Sequence, residues 1–361
     1  MADSVAEHIA ALKDEDWAIR EEAATALGTF RDPRAVGPLV SLLRDADRAV
    51  RQAAVGALTA IGEASVPVLG LCLSDPQPDV QEAASSVLSL IADERVLAPL
   101  IASLKNPDWI VRMHAAKALG RVKDAHAIEP LVPLLQDKVK AVREEATTAL
   151  AEIGDPALTS LLEALKHSEW LVRLHAVEAL GKSRSADAVE PLLWALFNDH
   201  DQAVREDAVR ALGQLGDSRA MEFLVSVMKE PGLRTLAVEA LGKIGDRRAV
   251  PALVAILEGG GDRPNGSRTV AGCGDNWDEE MNTRGAAVRA LGTLGDEVAI
   301  PSLVKALDQT TTRADAAAAL VRFGSRVIAP LVTIMTQTSD DNMRFHVKET
   351  LAKVGWRAGR I

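Results

Sequence analysis

The chain of 361 residues has no tyrosine, five phenylalanines and six tryptophans, so its interior cannot be built on large aromatic side chains. Small aliphatic residues must fill it instead, and a composition led by Ala and Leu points to helix. Its two cysteines, Cys72 and Cys273, lie in no CxxC or Cys/His spacing, which excludes a zinc finger and a disulfide framework. No GxGxxG, P-loop, GxSxG or HExxH pattern occurs, and the three glycines from Gly259 to Gly261 follow a helical pattern where a phosphate loop needs a strand. A formal charge of −10 argues against a phosphate-tracking surface, so nucleic acid is not the expected partner. The first residues are acidic where a signal peptide needs positive charge, and no uninterrupted apolar run of about 18 residues stands out. The expectation is a cytoplasmic chain without a membrane partner, and Cys72 is expected to be a small core residue.

What is present is a repeat. Aligned on an Arg seven residues before a Leu, the chain shows Arg20, Arg51, Arg112, Arg143, Arg173, Arg205, Arg234, Arg284, Arg313 and Arg344, with Gln81 in the third register. These eleven registers are spaced by 29 to 32 residues, apart from one step of 50. Around each, apolar or Ala residues at Arg−1, +3, +6 and +7 mark one face of a helix A. Gly at Arg+8 (Gly28, Gly120, Gly213, Gly242 and Gly292 among others) is expected to close that helix. Asp at Arg+12 (Asp32, Asp93, Asp124, Asp155, Asp217, Asp246 and Asp296) is expected to cap the next one. A shorter helix B follows, with proline in its first turn. Neither helix can bury its face alone, so the fold class is all-α, a right-handed solenoid of about eleven hairpins over residues 1–361. A lone B-type helix (3–13) and a lone A-type helix (341–354) would end the stack, with Phe345 and His346 in the second.

The unit, for example DPQPDVQEAASSVLSLIADERVLAPLIASL (75–104), resembles the HEAT-like repeat named after phycobilisome lyases, an armadillo-type alpha solenoid. That resemblance implies either a protein-binding scaffold or assembly factor, or a lyase-like subunit handling a tetrapyrrole or other cofactor. Deoxyhypusine hydroxylase uses a similar repeat, which would imply a metal-dependent hydroxylase with His-Glu pairs at Arg+1 and Arg+2. Here those positions hold Met113-His114, Leu174-His175 and Phe345-His346, so no pair is present. His114, Glu145, His175 and Asp207 do fill Arg+2 in four successive repeats, but helices about 8–10 Å apart cannot bring such equivalents together on one ion. No catalytic residue, metal or cofactor is therefore expected.

Two features suggest where a partner would bind. Repeats four and six share the start DWIVRMHAAKALG (108–120) and EWLVRLHAVEALG (169–181), placing Trp109 with Met113, and Trp170 with Leu174, as apolar i,i+4 pairs on the outward face. Trp17 stands at the same position in repeat one without an apolar companion, and an alternative is that each Trp packs over the preceding turn. Trp194 adds an aromatic on helix B of repeat six. The second feature is the 50-residue step, read as a loop over 258–281 between repeats eight and nine, carrying Cys273, Asp275, Trp277 and Asp278. Its carboxylates would blunt the thiol, and no His lies near it in sequence. The expected partner-binding set is Trp109, Met113, His114, Glu145, Trp170, Leu174, His175 and Trp194, with those loop residues beside it.

Overall fold

A computed structural model describes residues 2–91, 94–259 and 274–356, and among them there are helices and turns but no strand. Helices A and B alternate as the register requires: the A helix Trp17–Phe30, for instance, is followed by a 3-10 turn at Pro33–Ala35 and a B helix at Val36–Ser41. The chain divides into two compact units, residues 1–185 and 186–361. A B-type helix, Ala2–Ala11, opens the first, and an A-type helix, Asp341–Lys353, comes last in the second.

The register arginine holds each hairpin to the turn before it. Arg20 Nη1 donates to the carbonyls of Asp14 and Glu15 at 2.9 and 3.0 Å, and Arg112 Nη1 does the same to Asn106 and Pro107 at 2.8 and 3.0 Å. Gln81 reproduces the contact with its amide, Nε2 donating to Asp75 O at 2.6 Å. These bonds satisfy turn carbonyls that the start of a helix would otherwise leave without donors. In repeats one and four the guanidinium also grips an aspartate 25 residues on, Asp45 and Asp137, through two parallel bonds of 2.8 and 2.9 Å. Desolvation pushes the part-buried Asp137 carboxyl up, and Arg112 overrides it to hold the group below the usual carboxylate range.

The Arg+8 glycines do not end helices. Gly120 lies inside the helix Trp109–Val122, and a methyl group added to it would meet Ala149 Cα at 2.6 Å. Gly28, Gly213, Gly242 and Gly292 face Ala57, Ala240, Ala290 and Ala319 in the same way. Each glycine lets its A helix touch the Arg+6 alanine of the next A helix backbone to backbone, which explains an interior of Leu, Val and Ala. The helices end instead at residues with positive φ, such as Gly216 and Gly245, or Arg31 and Lys123. The Arg+12 aspartates cap as expected at Asp32, Asp124, Asp217, Asp246 and Asp296. Asp155 departs from this: Gly154 holds the cap position and Asp155 lies in the first turn, while Asp93 is outside the described residues.

Two sequence expectations change. The stretch Arg48–Cys72 is long and apolar enough to pass for a membrane span, with a mean hydropathy of 1.6, yet the turn at Gly62–Ser65 breaks it into an A and a B helix. Part of the stretch 258–281 read as loop is helix: helix B of repeat eight runs to Gly259, and helix A of repeat nine already begins at Gly274. That 21-residue helix starts ten residues before Arg284 instead of the usual three. Glu279 fixes the extension by accepting the Gly232 N–H at 2.8 Å, and Thr283 meets Thr235 at 2.6 Å.

Candidate functional site

In the first unit, Trp109 and Trp170 are the first residues of their A helices, Trp109–Val122 and Trp170–Lys182. Asp108 caps the first by accepting the Ile110 N–H at 2.9 Å, whereas Glu169 precedes the second without a side-chain cap bond. Both indoles stand out from the surface, 40% and 43% exposed, and Trp17 does so at 49%. Met113 and Leu174, one turn further on, are half-buried. A helix begins with its first side chain beyond the packed turn, so a Trp at Arg−3 has room to cover its own i+4 neighbour and still present a face to solvent.

The histidines are placed differently from the expectation. His114 and His175 are both 5% exposed and so cannot serve as surface contacts for a partner. At 100° per residue, Arg+2 lies only about 40° from the Arg+6 alanine that packs on the next A helix, so the +2 side chain is drawn into the seam. His175 is fully committed there. Its Nε2 accepts from Arg143 Nε at 3.2 Å, which leaves Nδ1 to donate to Glu178 at 3.2 Å. That bond, reinforced by Lys182, pulls the Glu178 carboxyl down to about 2. His114 is less well served: Nδ1 lies 3.2 Å from Glu82 Oε2 but off the hydrogen-bonding direction. Burial pushes its pKa down, opposed by the Glu82 charge. Glu145 is half-buried and raised by that desolvation, with Lys117 acting the other way.

The second unit carries an aromatic surface of its own. Trp194 and Phe197 on the B helix Val189–Asn198 are 52% and 45% exposed, and Phe223 on the next B helix, Met221–Val227, is 44% exposed. Phe197 and Phe223 meet edge to face with ring centroids 6.1 Å apart. Phe223 escaped the sequence reading. Its signal is the recurrence of an aromatic on successive B helices. Of the loop residues, Cys273 lies outside the described residues, and Asp275, Trp277 and Asp278 fall in the helix Gly274–Leu294.

A metal-dependent hydroxylase needs a converging ligand set, and among the described residues no three His, Cys, Asp or Glu side chains come together as one. The two buried histidines lie in separate seams, His175 bonded to Arg143 and Glu178 and His114 beside Glu82.

Deoxyhypusine hydroxylase-B of Oryza sativa subsp. japonica is 28% identical to this chain over 226 residues, 61% of the chain and 74% of that protein. Among solved structures, a Kap95:Nup1 complex matches with a TM-score of 0.58 at 16% identity, over 98% of this chain and 58% of that one. The karyopherin Kap121p bound to the extreme C-terminus of the protein phosphatase Cdc14p matches with a TM-score of 0.58 at 14% identity, over 98% and 46%. This chain thus spans about half the length of these structures, and at such identities the likeness is one of fold. Residues 283–309 match the PBS lyase HEAT-like repeat. HEAT repeats match over 5–89, 66–151, 97–167, 128–195, 158–232 and 189–264, well over half of the sequence, and the chain belongs to the HEAT-repeat family.

Proposed function

We propose that this chain is a non-catalytic protein-binding module whose partner seats apolar side chains on Trp109 and Trp170. The observation that carries the reading is the exposure of these two indoles, 40% and 43%, at equivalent positions of repeats four and six. A fully structural indole would be expected under cover, and exposed Trp is the residue type that most often anchors protein interfaces. Two repeats at about 10 Å each separate the anchors by roughly 20 Å. About 13 residues of helix span that distance, so an amphipathic helix of three to four turns suits the pair. Related folds in complex with Nup1 and with a C-terminal segment of Cdc14p show that stacked helical hairpins of this kind serve protein recognition elsewhere.

The test compares affinity capture from native lysate by the wild-type chain and by the Trp109→Ala/Trp170→Ala variant. The reading expects a stoichiometric protein on the first that is lost from the second, with both chains equally folded. Equal capture by both would remove these residues from the interface.

A further inference from the structure

The internal repeat shows what each register arginine needs, and two of them lack it. Arg20, Arg112 and Arg205 each hold a carboxylate 25 residues on: Asp45 and Asp137 at 2.8 Å and Glu230 at 2.5 Å. Arg51, Arg143 and Arg313 have no such acid, but each donates to two carbonyls of its preceding turn. Arg234 has neither. Its Nε reaches Met228 O at 2.8 Å, its two terminal nitrogens have no partner among the described residues, and the position 25 residues on is Gly259. Arg284 in the following repeat is 4% exposed, bonds Leu257 O through Nη2 at 2.9 Å, and keeps a buried Nε with no acceptor among the described residues.

A cavity of about 410 Å³ lies where the missing carboxylate would sit, lined by Arg234, Arg284 and Gly259, with Lys229 and Glu280 also on its wall. Val225, Met228 and Ile256 supply apolar surface beside them. Three cations against one carboxylate, in a space large enough for a small ligand, favour an anion, and the apolar wall favours one with an apolar body. A buried guanidinium nitrogen without an acceptor is a standing demand for one.

We propose that this pocket binds a carboxylate carried on a short apolar group, which takes the place that Asp45, Asp137 and Glu230 hold in their repeats. Such a group comes from a free organic acid or from the C-terminus of a peptide, and the recognition chemistry is the same. The proposal is independent of the Trp109/Trp170 surface.

Calorimetric titration of the full chain tests it with four probes: octanoate, 1-octanol, and a tripeptide ending in leucine with a free or an amidated C-terminus. Saturable one-to-one binding of at least one anionic probe is expected, at least about tenfold tighter than its neutral counterpart. Octanoate alone would assign the site to free acids, and the free tripeptide alone to a peptide C-terminus. The variant Gly259→Glu provides the missing carboxylate from within, at a position where an added Cβ meets nothing within 4 Å. It should lose the binding while melting no lower than wild type. Binding of neither anionic probe, equal affinity for the neutral ones, or undiminished affinity in Gly259→Glu would overturn the proposal.

Discussion

Two glycine-to-alanine substitutions in helix interiors should move stability in opposite directions. Gly56 lies within the helix Arg48–Ile61, and a methyl group there meets nothing within 4 Å. Alanine should then gain the intrinsic helix preference alone, about 1 kcal/mol. At Gly120 the same gain is available, but the new Cβ falls 2.6 Å from Ala149 Cα and 2.9 Å from Ala149 Cβ. Neither atom can swing aside, so the two A helices must separate, and overpacking of this kind costs about 1–3 kcal/mol. Because the obstruction is backbone, the upper end applies, and about 2 kcal/mol of net loss remains after the propensity gain. For a cooperative unit of this size, each kcal/mol shifts the melting temperature by about 2–4 °C. Thermal unfolding followed by circular dichroism should place Gly56→Ala about 2–4 °C above wild type and Gly120→Ala about 4–8 °C below it. If both variants moved in the same direction, the Arg+8 glycines would not be contact residues.

Other substitutions probe separate parts of the structure. Arg112→Met strips the part-buried Asp137 of its partner and the preceding turn of two donors, and should cost about 3 kcal/mol in urea unfolding. Arg34→Met breaks the exposed pair with Asp32 and should leave urea unfolding close to wild type, a far smaller change than Arg112→Met makes. His114 is held below its usual value of 6.5 by burial, so the unfolded chain takes up a proton there before the folded one does. Stability should therefore fall as pH drops below about 6.5, and His114→Gln should flatten that part of the profile of melting temperature against pH. Glu178 is depressed instead, to about 2, so its contribution is complete above its ordinary value of 4.5 and is lost as pH falls toward 2. Glu178→Gln should remove that acid limb.

The hairpin alternation was legible because it is written locally: one apolar face per helix, a cap between helices, and a period too regular for chance. What the conserved-looking letters of the repeat do was not, because their partners lie in the next repeat. A Gly followed four residues later by Asp reads as a helix stop, yet Gly120 answers to Ala149, a residue 29 positions away. The clue was that Gly at Arg+8 and Ala at the next Arg+6 recur together. Arg112 marked a register in sequence, and only the fold shows it clamping Asp137. On the candidate surface, the outward placement of Trp109 and Trp170 followed from helical angles, but His114 and His175 sit at the edge of the apolar arc, where a neighbouring helix decides burial. The 50-residue step suggested a loop, and the helix hidden in its second half is anchored by Glu279 to Gly232, a contact across 47 residues.

The most direct test of the protein-binding account measures two quantities on the same three chains: wild type, Trp109→Ala and Trp170→Ala. Affinity for the captured partner should fall by about 30-fold or more in each variant, as at an interface hot spot, while the melting temperature changes by only a few degrees. Affinity left intact while the melting temperature drops sharply would contradict it, and would make both tryptophans covers for the turns before their helices.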